Sequence, residues 1–125
     1  MKTPFAALLL LIGLAGCTTA PVPYARPTFS QVGLASWYGP EHQGAPTASG
    51  TRYDMHAMTA AHRSLPFSTV ARVTSLGTGR SIKVRINDRG PYAKGRIIDL
   101  SAAAASAIGL RGVSPVRVEV FRSDR

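Results

Sequence analysis

Six carboxylates are available to this 125-residue chain: Glu41, Asp54, Asp88, Asp99, Glu119 and Asp124. Glu119 alternates with Val118 and Val120, which turns it outward on a strand, and Asp124 lies in a tail; both read as solvated charges. Asp99 comes just before a run of alanines, where a carboxylate can bond the free N–H groups of a helix start. Its reading is structural. Asp88 differs, because it continues the parity of Ile82, Val84 and Ile86 and so reaches the rim of a core where that strand ends. A carboxyl group half withdrawn from water is suited to hold a proton and deliver it as a general acid. The neighbouring Arg89 and Arg96 favour the ionised form instead. The run Asn87-Asp88-Arg89-Gly90-Pro91 is equally consistent with a plain turn in which Asp88 bonds its own backbone.

The other chemistry-bearing residues are fewer. His42, His56 and His62 have no close ligand spacing, so neither a metal nor another cofactor is read from them. No Ser, His and acid arrangement follows from spacing. Trp37 and Tyr38 close a strand beside Gly39-Pro40, where an aromatic pair suits either stacking on sugar rings or packing in a core.

The elements that must position these residues are mostly strands. Gly33 to Tyr38 reads as a first strand. Val70–Ser75 and Arg80–Ile86 flank Leu76-Gly77-Thr78-Gly79 and predict a β-hairpin. Arg96–Leu100 is another short strand, Ser101 is a suitable N-cap for a helix over 102–108, and Gly109 ends it. Val116–Phe121 alternates cleanly and closes the domain. About six strands with one short helix predict a mainly β fold, a small closed barrel.

The amino-terminal part reads as an export leader. Lys2 precedes an uncharged apolar run, Phe5 to Leu14, too short to span a bilayer and followed by small residues. Leu14-Ala15-Gly16-Cys17 resembles the lipobox of bacterial lipoproteins, which implies cleavage before Cys17 and lipidation of that residue. Two or more acyl chains anchor a protein stably where one does not. Cys17 is the single cysteine of the chain, so no internal disulfide framework holds the fold. Thr18 to Ser30, with three prolines, reads as a tether reaching on the order of 40 Å at about 3.1 Å per residue. The organisation is thus a signal peptide over 1–16, a lipidated cysteine and tether over 17–31, and one domain over 32–122. No second domain fits after Arg122. Fifteen Lys and Arg against six acids make the chain strongly basic. Among acidic partners, export argues against nucleic acid and leaves anionic lipid or a polymer of the cell envelope.

Several ordered segments then resemble one family. Ala35-Ser36-Trp37-Tyr38-Gly39, Thr47-Ala48-Ser49-Gly50, Tyr53-Asp54-Met55, Thr59 through Phe67, Arg85 through Pro91 and Gly95 through Ser101 are together similar to the rare lipoprotein A family, over about Gly33 to Phe121. The resemblance implies a six-stranded double-psi β-barrel, the fold shared with expansins. It implies a lytic transglycosylase that cuts the bond between N-acetylmuramic acid and N-acetylglucosamine in peptidoglycan, prefers strands stripped of stem peptides, and leaves 1,6-anhydro ends. It further implies that Asp88 is the catalytic acid, with His62 assisting, and that Trp37, Tyr38, Asn87 and Arg89 meet the glycan. Thr51 stands where the family usually has a glutamate, and a threonine hydroxyl cannot shuttle a proton at neutral pH. Glu41 and Asp54 are the nearest acids. A non-cleaving, expansin-like binding module is therefore the alternative. The expected setting is the periplasmic face of the outer membrane, with peptidoglycan strands and the membrane as partners, and septal or envelope proteins as further candidates.

Overall fold

The computed structural model describes residues 25–124. The leader, the lipidation site at Cys17 and the first part of the tether lie outside these residues. Six strands close into one barrel: β1 (Phe29–Trp37), β2 (Thr59–His62), β3 (Val70–Ser75), β4 (Ser81–Asp88), β5 (Arg96–Leu100) and β6 (Ser114–Val120). Their order around the barrel is β1-β5-β2-β4-β3-β6. The β1–β5 and β2–β4 pairs are parallel and the others antiparallel, which is the crossed arrangement of a double-psi β-barrel. A single α-helix, α1 (Ala102–Ala107), follows β5.

Sequence pattern accounts for most of this. In β4, Val84 and Ile86 face inward and are buried while Lys83 and Arg85 are exposed. Antiparallel pairing sets Val73 against Ile82 and Ala71 against Val84, joining two apolar faces across the hairpin. Val116, Val118 and Val120 do the same on β6. The fully buried side chains include Ile86, Ile98, Leu100 and Ile108. Each stabilises the fold by about 1.5–3 kcal/mol through removal from water. The Ser101 hydroxyl accepts the Ala104 N–H at 3.2 Å, capping α1 as its position in the sequence predicts.

Two expectations need correction. β1 starts at Phe29, so Phe29, Ser30 and Gln31 pair with Val120, Glu119 and Val118 rather than belonging to the tether. Phe29 packs on the core, which gives that pairing an apolar reason to form. Asp124 is not a solvated tail charge. It is nearly buried, in a single 3₁₀ turn after β6, where Lys83 reaches it at 2.9 Å and Arg72 at 3.6 Å.

Candidate active site

The register of the sheet brings four residues into one lateral row. Ser36 on β1 pairs with Asp99 on β5, Asp99 pairs with Ala61 on β2, and Ala61 pairs with Asp88 on β4. With strands about 4.8 Å apart, the two aspartates stand on the order of 10 Å apart at the backbone, with only a small alanine between them. The β2–β4 register slips at this point: Ala60 opposes Ile86 but Ala61 opposes Asp88, so Asn87 is the extra residue of a bulge. Bulges re-aim the side chains beside them.

Three donors fix the Asp88 carboxyl group. Its Oδ1 accepts the Ala48 N–H and the Arg89 N–H, each at 2.9 Å. Its Oδ2 accepts the Tyr38 hydroxyl at 3.0 Å. Each carboxylate oxygen offers about two lone-pair positions, so Oδ1 is filled and Oδ2 keeps one open. Oδ2 is the atom that can exchange a proton with a ligand.

The Ala48 donor is supplied by a tight loop. Thr47 donates its N–H to Thr51 O at 2.9 Å and Gly50 donates to Thr47 O at 3.0 Å. Gly50 adopts φ +90°, a backbone region that L side chains rarely enter. Ser49 N–H then bonds Asn87 O at 3.2 Å, tying the loop to the bulge. Within the loop the hydroxyls of Thr47, Ser49 and Thr51 bond one another at 2.9–3.1 Å. Thr51 is thus part of an uncharged hydroxyl cluster beside the carboxylate.

Tyr38 is a donor more than a stacking platform. It is half-buried between Tyr53, at 5.2 Å between ring centroids, and His42, at 5.6 Å. Burial first, then the negative charges of Asp88 and Asp99, push its phenol far above the ordinary range. It therefore stays protonated and keeps donating to Asp88 at any physiological pH. Tyr53 supports it from below, its hydroxyl donating to Tyr38 O at 3.3 Å while accepting the Ala102 N–H at 3.1 Å.

The structural reading of Asp99 as a helix-start anchor is corrected, since Ser101 fills the cap and Asp99 instead accepts a hydrogen bond from the Ser36 hydroxyl. Asp99 is the second carboxylate acting on Tyr38, and parity along β5 alone does not reveal it.

The histidine and arginine of the expected site take supporting roles. His62 is 2% exposed, and its hydrogen bonds run away from Asp88. Nε2 meets Gln31 Oε1 at 2.9 Å, and Nδ1 accepts the Ser64 and Leu65 N–H groups at 3.2 and 3.1 Å. Nδ1 acts as acceptor, so the neutral ring carries its proton on Nε2. Burial, then the charges of Arg89 and Arg63, lower its pKa below the ordinary histidine range. In this geometry the His62 ring has no hydrogen bond to Asp88 and braces β1 and the β2–β3 connection. Arg89 is likewise committed: its guanidinium donates to His62 O at 3.2 Å and Leu65 O at 2.8 Å and lies 4.0 Å over the Phe67 ring. It holds the β2–β3 connection against the Asp88 loop.

An open groove of about 420 Å³ runs beside this centre, with Ser49, Thr51, Asp54, Phe67, Arg85 and Asn87 among its walls. Asp54 reaches the groove, with Oδ1 also holding the His56 N–H at 2.9 Å. Glu41 is exposed beside His42, 3.6 Å away. Trp37 points to the α1 side of the barrel. Among the described residues no cluster of three or more His, Cys, Asp or Glu side chains could hold a metal ion.

Residues 30–120 match a family model described as lytic transglycolase. A probable endolytic peptidoglycan transglycosylase RlpA of a Synechocystis strain is 56% identical over 92 residues, covering 72% of this chain and 29% of that protein. The endolytic peptidoglycan transglycosylase RlpA of Pseudomonas aeruginosa is 48% identical over 105 residues, covering 84% of this chain and 30% of that protein. The chain thus spans under a third of the length of these two relatives. Among solved structures, an expansin of Clavibacter michiganensis superposes with a TM-score of 0.60 at 23% identity, over 78% of this chain and 52% of that one. A Streptomyces papain inhibitor superposes with a TM-score of 0.58 at 24% identity, over 78% of this chain and 99% of that one. These two likenesses concern the fold.

Proposed function

Because the chain belongs to the rare lipoprotein A-like family of lytic transglycosylases, we propose that it cleaves the bond between N-acetylmuramic acid and N-acetylglucosamine in peptidoglycan. The observation that carries this reading is the Asp88 carboxyl group, held by three donors with one lone-pair position of Oδ2 left open. A protonated Oδ2 gives its proton to the bridging oxygen as positive charge develops at the muramyl C1. The same oxygen, now basic, takes the proton of the muramyl C6 hydroxyl as that oxygen bonds to C1. Bond-breaking and ring closure balance without water, and the product is a 1,6-anhydro end. One carboxyl group thus serves as acid and then as base. Tyr38 and the two N–H groups stabilise the carboxylate between the two steps.

The groove past Thr51, Asn87 and Phe67 suits an extended glycan, and a preference for strands without stem peptides belongs to the same reading. Incubation with such strands, followed by mass spectrometry, tests it: anhydro-muramyl ends are expected. Thr51 supports a second reading. An uncharged hydroxyl cluster beside Asp88 fits a module that holds glycan without cutting it. In that case strands are retained on the immobilised protein and never shortened. The Leu14-Ala15-Gly16-Cys17 motif supports a lipid anchor at Cys17, and Thr18 rather than an aspartate after it supports the periplasmic face of the outer membrane. Metabolic labelling of Cys17 with a palmitate analogue tests this, and a Cys17→Ala protein that is labelled equally contradicts it.

A further inference from the structure

Away from Asp88, the barrel has a second recess of about 400 Å³ against α1, with Trp37, Arg80, Ala105, Ser106, Leu110 and Arg111 among its walls. Its chemistry is that of a binding surface: an indole 41% exposed and two guanidinium groups. No carboxylate of the described residues lines it. Arg63, Arg72 and Arg89 each lie over an aromatic ring. Among the described residues, Arg80 and Arg111 show no ion pair, no side-chain hydrogen bond and no aromatic partner.

Two local devices bring these cations together. The Thr78 hydroxyl donates to Ile108 O at 2.8 Å, pinning the β3–β4 turn, and Arg80 with it, onto the end of α1. Gly109, at φ +67°, ends the helix and turns the chain so that Arg111 follows on the same side. Neither cation is needed to satisfy the helix end. Ala104 O, Ala105 O and Ser106 O already accept the N–H groups of Ile108, Leu110 and Gly109. Two unpartnered guanidiniums beside an aromatic face therefore suit a planar anion carried on a ring. Arginine binds carboxylate through paired N–H donors, and an indole face packs against a sugar.

We propose that this recess binds a muramyl residue of the glycan through the carboxylate of its lactyl group, the group that removal of a stem peptide uncaps. The inference rests on the transglycosylase reading and deepens it. Trp37 and Tyr38 are consecutive at the end of β1, so the recess and the Asp88 centre lie on different sides of one strand end. An attached stem peptide converts the lactyl carboxylate to a neutral amide and adds bulk. The arginines then lose their anion, which gives a physical reason for preferring stripped strands.

Trp37 is the single tryptophan of the chain, so its fluorescence reports on the recess. The test titrates the full chain, carrying Asp88→Asn to preserve the ligand, with a muramyl oligosaccharide bearing free lactyl carboxylates and with its methylamide. The free acid is expected to bind on the order of tenfold more tightly, and the difference is expected to shrink as salt is raised. Adding Arg80→Gln with Arg111→Gln is expected to bring the ratio near one while methylamide binding persists. Equal affinity for acid and amide before the arginines are changed overturns this inference alone. A ratio that survives the double substitution does the same. Binding of neither sugar overturns this inference, whereas the transglycosylase reading is overturned separately, by the absence of anhydro-muramyl ends from the unaltered chain on stripped strands.

Discussion

Tyr38 and Asp88, fifty positions apart in sequence, are joined by a 3.0 Å hydrogen bond in which the phenol donates to Oδ2. The bond links the end of β1 to the end of β4, two strands that are not neighbours in the barrel. It leaves one open lone-pair position on Oδ2, the oxygen to which the proposed mechanism gives the proton. Tyr38→Phe removes this donor and keeps the ring packed between Tyr53 and His42. A hydrogen bond to a charged group contributes about 1.5–3 kcal/mol, so kcat is expected to fall about tenfold or more with little change in KM. Steady-state release of anhydro-muramyl products measures it, and an unchanged kcat removes Tyr38 from the mechanism.

His62 predicts how stability depends on acidity. Its pKa is lowered in the folded barrel, so below the unfolded-state value near 6.5 the unfolded chain binds a proton that the folded chain resists. Stability is therefore full above about pH 6.5 and declines as pH falls below it. Thermal melts from pH 7.5 to 5 are expected to show a falling Tm. In His62→Gln the barrel starts less stable, but this histidine-dependent part of the slope disappears. A slope of equal size in the variant contradicts the assignment.

Thr51 is exposed in the loop that presents Ala48 to Asp88. Thr51→Glu sets a second carboxylate beside the groove, and a positioned proton-transfer group contributes about 10²–10⁴-fold in favourable geometry. An increase of at least about tenfold in strand cleavage is expected. The assay is the length distribution of stripped strands over time, and a rate no faster than that of the unaltered chain removes the argument built on this position.

Asp124 draws Lys83 and Arg72, from adjacent strands, onto one carboxylate. Both cations are partly exposed, so the pairs are screened and each is worth at most about 1 kcal/mol. Asp124→Ala is expected to lower Tm by roughly 4–8 °C, the shift that about 1 kcal/mol produces in a domain of this size. High salt is expected to narrow the gap. An unchanged Tm at low salt contradicts the role.

Much of the barrel was legible because β4 and β6 alternate without ambiguity, and because Ser101 and Gly109 bracket α1 with specific cap chemistry. Asp88 was legible as a candidate acid by residue type, but parity does not place it: the bulge at Asn87 breaks the alternation of Val84 and Ile86 and sets Asp88 in the row of Ser36, Asp99 and Ala61. What escaped the sequence depends on register between distant segments. Asp99 acts on Tyr38 through register, with Ala61 paired to both aspartates, and alternation along β5 carries no sign of it. His62 lies one position from that pairing, yet Gln31 and the Ser64–Leu65 N–H groups claim its ring. Arg89 is drawn off by Phe67 and two carbonyls. The early start of β1 was hidden because Pro27 and the residues before it have the texture of a linker, while the partner strand β6 lies at the other end of the chain.

In the proposed mechanism Asp88 carries the proton in both halves of one water-free cleavage. The most direct measurement compares the full chain with Asp88→Asn on stripped glycan strands, scoring 1,6-anhydro-muramyl ends by mass spectrometry and confirming the fold by circular dichroism. Anhydro ends are expected from the unaltered chain and none above background from the folded variant. Anhydro ends appearing at the same rate in Asp88→Asn would contradict that mechanism.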